Sequence, residues 1–239
     1  MSSFLLMLSF FTRIPVGNHV GYSNERFNKG IVLFPLTGFV VGIFLVAPKF
    51  LNISIKPIEA ILIISLYLMI TGAIHIDGLT DSLDGLLSNR DQKRILEIMK
   101  DSRIGTFGAI GLILYFLILY TTVQIVDYRW LFLMPFVGKV NGFLAAGVSK
   151  YARSEGGMGK LFIEGIGIWK ALIYSLIMVV LSYLILGIMG IMASLVVLMF
   201  TVAMAKWTYI KIGGMTGDTI GLVIEVSQCV FLLIGAMRG

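Results

Sequence analysis

The segment "HIDGLTDSLDG", His75 to Gly85, sets Asp77, Asp81 and Asp84 at i, i+4, i+7 directly after an uncharged apolar run. If the preceding helix continues through them, all three carboxylates share one stripe, with adjacent pairs about 6 Å apart. At an effective dielectric of about 20, each ionised pair repels by roughly 3 kcal/mol. A compensating cation is the physical reason to accept that cost. Oxygen donors favour Mg²⁺, Mn²⁺ or Ca²⁺, and Mg²⁺ usually arrives with a substrate's phosphates. The plain alternative is a helix running out into a polar loop, with Gly78 and Gly85 as punctuation.

Two further segments carry similar chemistry. In "KDSRIGTFG", Asp101 supplies another carboxylate and Arg103 a planar fork for a phosphate, while Gly105, Thr106 and Gly108 open a helix whose amides suit an anion. The alternative makes Asp101 or Ser102 a helix cap and Arg103 a snorkelling anchor. In "KIGGMTGDTIGLVIEVSQ", Gly213, Gly214 and Gly217 let backbone approach a ligand, and Thr216 and Asp218 add a hydroxyl and a carboxylate. Glu225 follows seven residues after Asp218, about two turns into an apolar segment. An acid at that depth costs on the order of 2.5–3.5 kcal/mol, so Glu225 faces the protein interior or a wet cavity. Lys139 and Asn141 in "FVGKVNGFLAAG" are either ligand contacts or helix–helix hydrogen bonds. Arg153, beside the glycines of "KYARSEGGMGK", is a phosphate candidate or part of an ordinary basic loop.

The elements that must position these groups are apolar. Of 239 residues, 58% are hydrophobic and 13% charged, with a mean hydropathy of +0.95. That excludes a soluble domain of this size and predicts an all-α, polytopic integral membrane bundle in one domain. Candidate spans are 31–48, 58–76, 107–126, 130–149, 171–187, 188–205 and 219–236. The stretch 171–205 would measure about 52 Å as one helix, so it is expected to fold back near Gly187 and Gly190. Residues 1–30 read as an interfacial segment, because the apolar core of "MSSFLLMLSFFTRIP" is too short to span. Residues 91–100 read as an amphipathic helix on the membrane surface. One cysteine, Cys229, and two histidines, His19 and His75, leave no disulfide framework and no zinc site. The methionines and most aromatics read as lipid-facing or packing residues.

Charge sets orientation. The four polar loops 1–30, 77–106, 150–170 and 206–218 hold fourteen Lys and Arg, while Lys49, Lys56, Arg129 and Arg238 make four on the opposite face. By the positive-inside rule those loops, with every acidic motif, face the cytoplasm across the cell membrane. The net charge of +6 therefore reflects membrane orientation and points to lipid headgroups or a phosphorylated substrate, not to nucleic acid.

"HIDGLTDSLDG", "MKDSRIGTFG" and "GGMTGDTIGLVIE", in this order, with "LSFFTRIPV" before them and the "YAR" loop between, resemble the cobalamin synthase (adenosylcobinamide-GDP ribazoletransferase) family across essentially the whole chain. The resemblance implies a Mg²⁺-dependent membrane transferase. Its substrates are adenosylcobinamide-GDP and α-ribazole or its 5′-phosphate; its products are adenosylcobalamin, or its phosphate, and GMP. Membrane lipids surround such an enzyme, and a homo-oligomer is compatible with it.

Attack of a hydroxyl on an activated pyrophosphate calls for metal to neutralise both phosphates. Asp77, Asp81 and Asp84, joined by Asp101, are the expected metal ligands, with Lys100 and Arg103 on phosphate oxygens. Asp84 or Asp101 is the expected proton acceptor, with His75 as the alternative. Gly213 to Asp218 and Glu225 are expected to bind the second substrate or the guanosine. The "DSLDG" and "DGLTD" patterns leave room for a CDP-alcohol phosphatidyltransferase or a prenyl diphosphate-using enzyme. A cation transporter through Asp77, Lys139 and Glu225 is disfavoured, because the acids gather at one face.

Overall fold

The computed structural model describes residues 2–16, 21–51 and 53–237; His19 and Arg238 lie outside them. Among these residues the chain is all-α. Two short helices, α1 (Ser2–Phe11) and α2 (Asn24–Ile31), precede a crossing segment, Phe34–Leu51, built from α3 (Thr37–Val46) between two 3₁₀ turns. Then come α4 (Lys56–Thr71), α5 (Ile74–Leu86), α6 (Gln92–Ile98), α7 (Thr106–Ile125), α8 (Tyr128–Gly147), α9 (Met158–Glu164), α10 (Ile168–Leu186), α11 (Ile188–Ile212) and α12 (Gly217–Ala236). Phe34–Leu51, α7, α8, α10, α11 and α12 are each long and apolar enough to cross a bilayer, and the α4–α5 pair makes a seventh candidate. The chain is a multi-pass membrane bundle.

The expected span 58–76 does not continue through the acidic residues. Gly72 (φ +62°) closes α4 by donating its N–H to the Leu68 carbonyl, and Ala73 (φ +55°) is left-handed as well. Two successive left-handed residues turn the chain, so α5 leaves α4 at 91°. We read α4 as the span and α5 as a helix across its end.

The break in 171–205 falls at Gly187 (φ +68°), as expected. The following helix does not stop at 205: α11 runs on to Ile212, so Lys206 and Lys211 are helical, and Gly213 (φ +76°) ends it. The amphipathic segment 91–100 contains α6, capped by Asp91 through the Arg94 N–H at 2.9 Å, with Ile95 buried and Lys93, Arg94 and Glu97 exposed. The ten-residue α1 is about 15 Å long, too short to cross, and packs on α2 and α3.

The centre of the bundle is α8, which touches α3, α10, α11 and α12. In lipid there is little hydrophobic drive between helices, so close approach of backbones must hold them together. Gly38 and Gly42 of α3 lie against the α8 backbone at Phe132, Pro135 and Phe136; Gly138 and Gly142 of α8 admit Gln228 and Ile224 of α12. Asn141 resolves as a helix–helix contact: its Oδ1 accepts from Thr201 Oγ1 of α11 at 2.7 Å.

The polar connections meet at one end. Gln92 Nε2 donates to the Ile212 carbonyl (2.8 Å), Met215 N to the Lys150 carbonyl (2.8 Å) and Lys100 Nζ to Glu155 Oε2 (2.7 Å). Lys49, bonded to Glu59 and to the Val123 carbonyl, marks the other end.

Candidate active site

The site forms where α5 crosses the start of α12. A Cβ at Gly78 would stand 2.7 Å from the Asp218 carbonyl oxygen, and one at Gly221 would stand 2.8 Å from the His75 carbonyl oxygen. Only glycine allows this approach, and it brings Asp77 and Asp81 alongside Asp218. Thr216 caps α12 reciprocally with Thr219, at 3.2 and 2.8 Å, which fixes the helix start.

The turn before α12 recruits a cation. Gly213 supplies the left-handed residue, and Gly214 lies against the Lys150 carbonyl, where a side chain would collide. Met215 then bonds the 150–152 strip in both directions, at 2.8 and 2.9 Å. One residue beyond that strip, Arg153 Nη2 donates to Asp218 Oδ2 at 2.8 Å. Arg153 Nε is buried without a protein partner.

Electrostatics single out Asp81. Burial, and then the charges of Asp77, Asp218 and Asp84, push its carboxyl up to about 6, against which Arg153 pulls down. Asp81 is half-buried and Asp77 exposed. Crowded carboxylates of this kind suit a divalent cation, although among the described residues no three of His, Cys, Asp and Glu already stand close enough to hold one.

The other expected residues are placed differently. Asp84 accepts from the Gly105 N–H (2.7 Å) and the Gly108 N–H (2.8 Å), capping α7. Its carboxylate fills the space a Cβ at either glycine would need. Asp101 is engaged by Arg103 through Nε (3.0 Å) and Nη2 (2.7 Å), and that pairing holds its carboxyl down to about 2. Asp84, Asp101 and Arg103 share the wall of a separate cavity with Gly105. The four acids therefore do not converge as one set. Lys100 pairs with Glu155 at the surface, and Thr106 is exposed in the first turn of α7.

A cavity of about 220 Å³ opens beside the α5–α12 crossing, lined by Asp77, Asp218, Gly217, Gly159 and His75, with a phenylalanine-rich remainder. Behind it stands Glu225, buried as expected but outside the cavity wall. Its two oxygens accept from Tyr67 Oη of α4 (2.7 Å) and Tyr115 Oη of α7 (2.5 Å). His75 Nδ1 is buried, unpartnered and 3.8 Å from Glu225 Oε1. Lys139 Nζ lies 5.2 Å from the Phe34 ring centroid, a buried cation–π contact.

Sequence reasoning missed the phenylalanine lining and the Arg153–Asp218 pair. The signal for the first was "LSFF" in a helix too short to span, where aromatic side chains have a protein surface and not lipid to cover. The second depends on the Gly213–Gly214 turn, which sequence alone does not aim.

Fold and site define a class: a multi-pass membrane protein with carboxylates and one arginine converging at the polar end of its bundle. The chain belongs to the cobalamin-5-phosphate synthase family, whose family model matches residues 3–236. It is similar to the adenosylcobinamide-GDP ribazoletransferase of Alkaliphilus oremlandii, 41% identical over 98% of this chain and 96% of that one. The proteins of the same name from Clostridium novyi and Acetivibrio thermocellus are each 36% identical, over 98% and 96% of this chain and 96% and 95% of theirs. No solved structure matches the chain.

Proposed function

We propose that this protein transfers the adenosylcobinamide phosphate unit of adenosylcobinamide-GDP to a ribose hydroxyl of α-ribazole or its 5′-phosphate, releasing GMP. Membership of the family and the relatives' shared name support the reaction. The observation that carries the site is the convergence of Asp77, Asp81, Asp218 and Arg153 at the α5–α12 crossing.

Mg²⁺ is the proposed cofactor, held by Asp77, Asp81 and Asp218; when bound, it neutralises charge on the pyrophosphate and on departing GMP. Burial first, and then the charges of Asp77, Asp218 and Asp84, hold the Asp81 carboxyl near 6, and the nearness of Asp77 and Asp218 supports that ligand set. Asp218 here takes the place first expected of Asp84 and Asp101, which are committed to the α7 amides and to Arg103. Arg153 steadies a phosphate oxygen through the partly exposed end of its guanidinium, which Asp218 holds in position. His75, in the wall of the same cavity, stands as the neutral imidazole that can take the proton of the attacking hydroxyl, because burial and the charge of Lys139 hold its pKa well below the usual value. Gly213 and Gly214 act by aiming the 150–153 loop.

The protein is proposed to lie in the cell membrane with this site on the cytoplasmic face, which the fourteen-to-four distribution of basic residues supports. The test is GMP release by protein reconstituted in nanodiscs. Release from adenosylcobinamide-GDP only when α-ribazole is present, together with a cobalamin product, is the expected result. GMP without an acceptor, or turnover only of CDP-alcohol or prenyl diphosphate substrates, would overturn it.

A further inference from the structure

We propose that the cavity walled by Phe10, Phe11, Phe27, Phe34, Phe162 and His75 seats the benzimidazole base of the acceptor nucleoside, and not the guanine of the activated donor. The inference rests on the transferase reading above and assigns one half of its substrate pair to a place.

Size separates the candidates first. Pockets that enclose whole drug-sized ligands measure about 300–1,000 Å³. At about 220 Å³, this one holds a single fused-ring system and excludes a corrin macrocycle. The corrinoid must remain outside, with its phosphate end directed at the carboxylates.

Wall chemistry separates the two remaining flat bases. The five phenylalanines come from α1, α2, the 3₁₀ turn before α3, and α9. Their rings already meet in edge and tilted contacts: Phe11–Phe34 at 4.4 Å between centroids, Phe34–Phe162 at 5.0 Å and Phe11–Phe162 at 5.8 Å. The His75 imidazole stacks on Phe11 at 6.0 Å and 23°. Such a cage rewards a flat apolar ring. Guanine would bring two donor groups and several acceptors into it, and buried polar groups left unpaired oppose binding. Away from the Asp77 and Asp218 carboxylates, which the reacting ribose and phosphate must reach, the side-chain walls answer with one imidazole, whose Nδ1 lies 3.8 Å from Glu225. A dimethylbenzimidazole presents a hydrocarbon edge with two methyl groups and only one basic ring nitrogen.

Direction agrees as well. Asp77 and Asp218 line the same cavity, so a base seated among the rings points its ribose toward the carboxylates, where the hydroxyl must react.

The test uses the full-length protein in nanodiscs and two independent readouts. The first is binding of α-ribazole followed by its own fluorescence, without any corrinoid, with GMP added as competitor. The second is steady-state turnover by wild type, Phe162→Ala and Phe162→Trp, with KM measured for each substrate separately. We expect α-ribazole to bind alone and GMP not to displace it. Phe162→Ala should raise the acceptor KM by about 10-fold or more, the range expected when a hydrophobic pocket loses contacts, with the donor KM unchanged. Wild type should show the same trend as the two methyl groups are removed from the base, a comparison that needs no variant to fold. Displacement by GMP, or a rise in donor KM alone, would give the cage to guanine and overturn the inference while leaving the transferase intact. Absence of GMP release by folded wild type from any donor and acceptor would remove the transferase reading and this seat with it.

Discussion

Arg153 Nη2 donates to Asp218 Oδ2 across 2.8 Å, although 65 positions separate the two residues. The contact exists because the Gly213–Gly214 turn lets Met215 pair with the Lys150–Ala152 strip. It sets the one strong cation of the site against the acidic face of α5.

Arg153→Ala is therefore expected to lower GMP release by about 10- to 100-fold, the range for losing a hydrogen bond to a charged group. Arg153→Lys should recover little, because an ammonium cannot hold Asp218 and a phosphate oxygen in one plane. Initial rates at saturating acceptor, with helical content measured by circular dichroism, check this.

Asp84 should behave as a cap. It accepts from the Gly105 and Gly108 N–H groups at 2.7 and 2.8 Å. Asp84→Ala is expected to lower stability by about 1–2 kcal/mol, seen as a lower unfolding temperature in detergent. Asp84→Asn, which keeps one acceptor, should lose less and retain turnover. Abolished turnover in Asp84→Asn at an unchanged unfolding temperature would return Asp84 to the ligand set.

Stability and metal binding should both depend on pH through Asp81. Its folded-state value is raised from 3.8 to about 6, so the folded protein favours the protonated form. That contribution to stability is fully present below about 3.8 and is lost as pH rises through about 6. A cation that needs the ionised carboxylate acts in the opposite sense. Mg²⁺ should raise the unfolding temperature at pH 7.5 and have little effect at pH 5, as thermal melts with and without the ion would show. Equal shifts at the two pH values would place the ion elsewhere.

Gly78→Ala should separate α5 from α12. The added Cβ would meet the Asp218 carbonyl oxygen at 2.7 Å and its Cα at 2.9 Å, and both are backbone atoms that cannot rotate away. Overpacking of this kind costs about 1–3 kcal/mol, and any relief by sliding moves Asp77 and Asp81 off Asp218. The expected outcome is loss of turnover out of proportion to the fall in unfolding temperature.

Much of this molecule was legible in the order of its residues. Long uncharged runs announced the spans, Gly187 marked the fold-back, and the depth of Glu225 predicted its burial. Asp77 and Asp81 were found as acids that need a reason to be near one another. What escaped depended on backbone direction. Ala73 adopts a left-handed conformation that its type does not advertise, so the 91° bend between α4 and α5 was read as a straight helix. The three aspartates still share one helix, α5, as their spacing predicts, but the packing around it gives Asp84 to the α7 amides and brings Asp218 in beside Asp81. The phenylalanine cage was invisible for a related reason. Its rings come from segments far apart in the chain, and in so apolar a sequence a ring that lines a pocket looks like one that faces lipid.

The most direct test of the central claim is a Mg²⁺ titration of GMP release from adenosylcobinamide-GDP and α-ribazole, run on wild type and Asp81→Asn in nanodiscs. The account predicts release that requires Mg²⁺ in wild type and falls to background in Asp81→Asn at every concentration, with both proteins correctly inserted. Full activity in Asp81→Asn, at the same Mg²⁺ dependence as wild type, would contradict a site built on Asp77, Asp81 and Asp218.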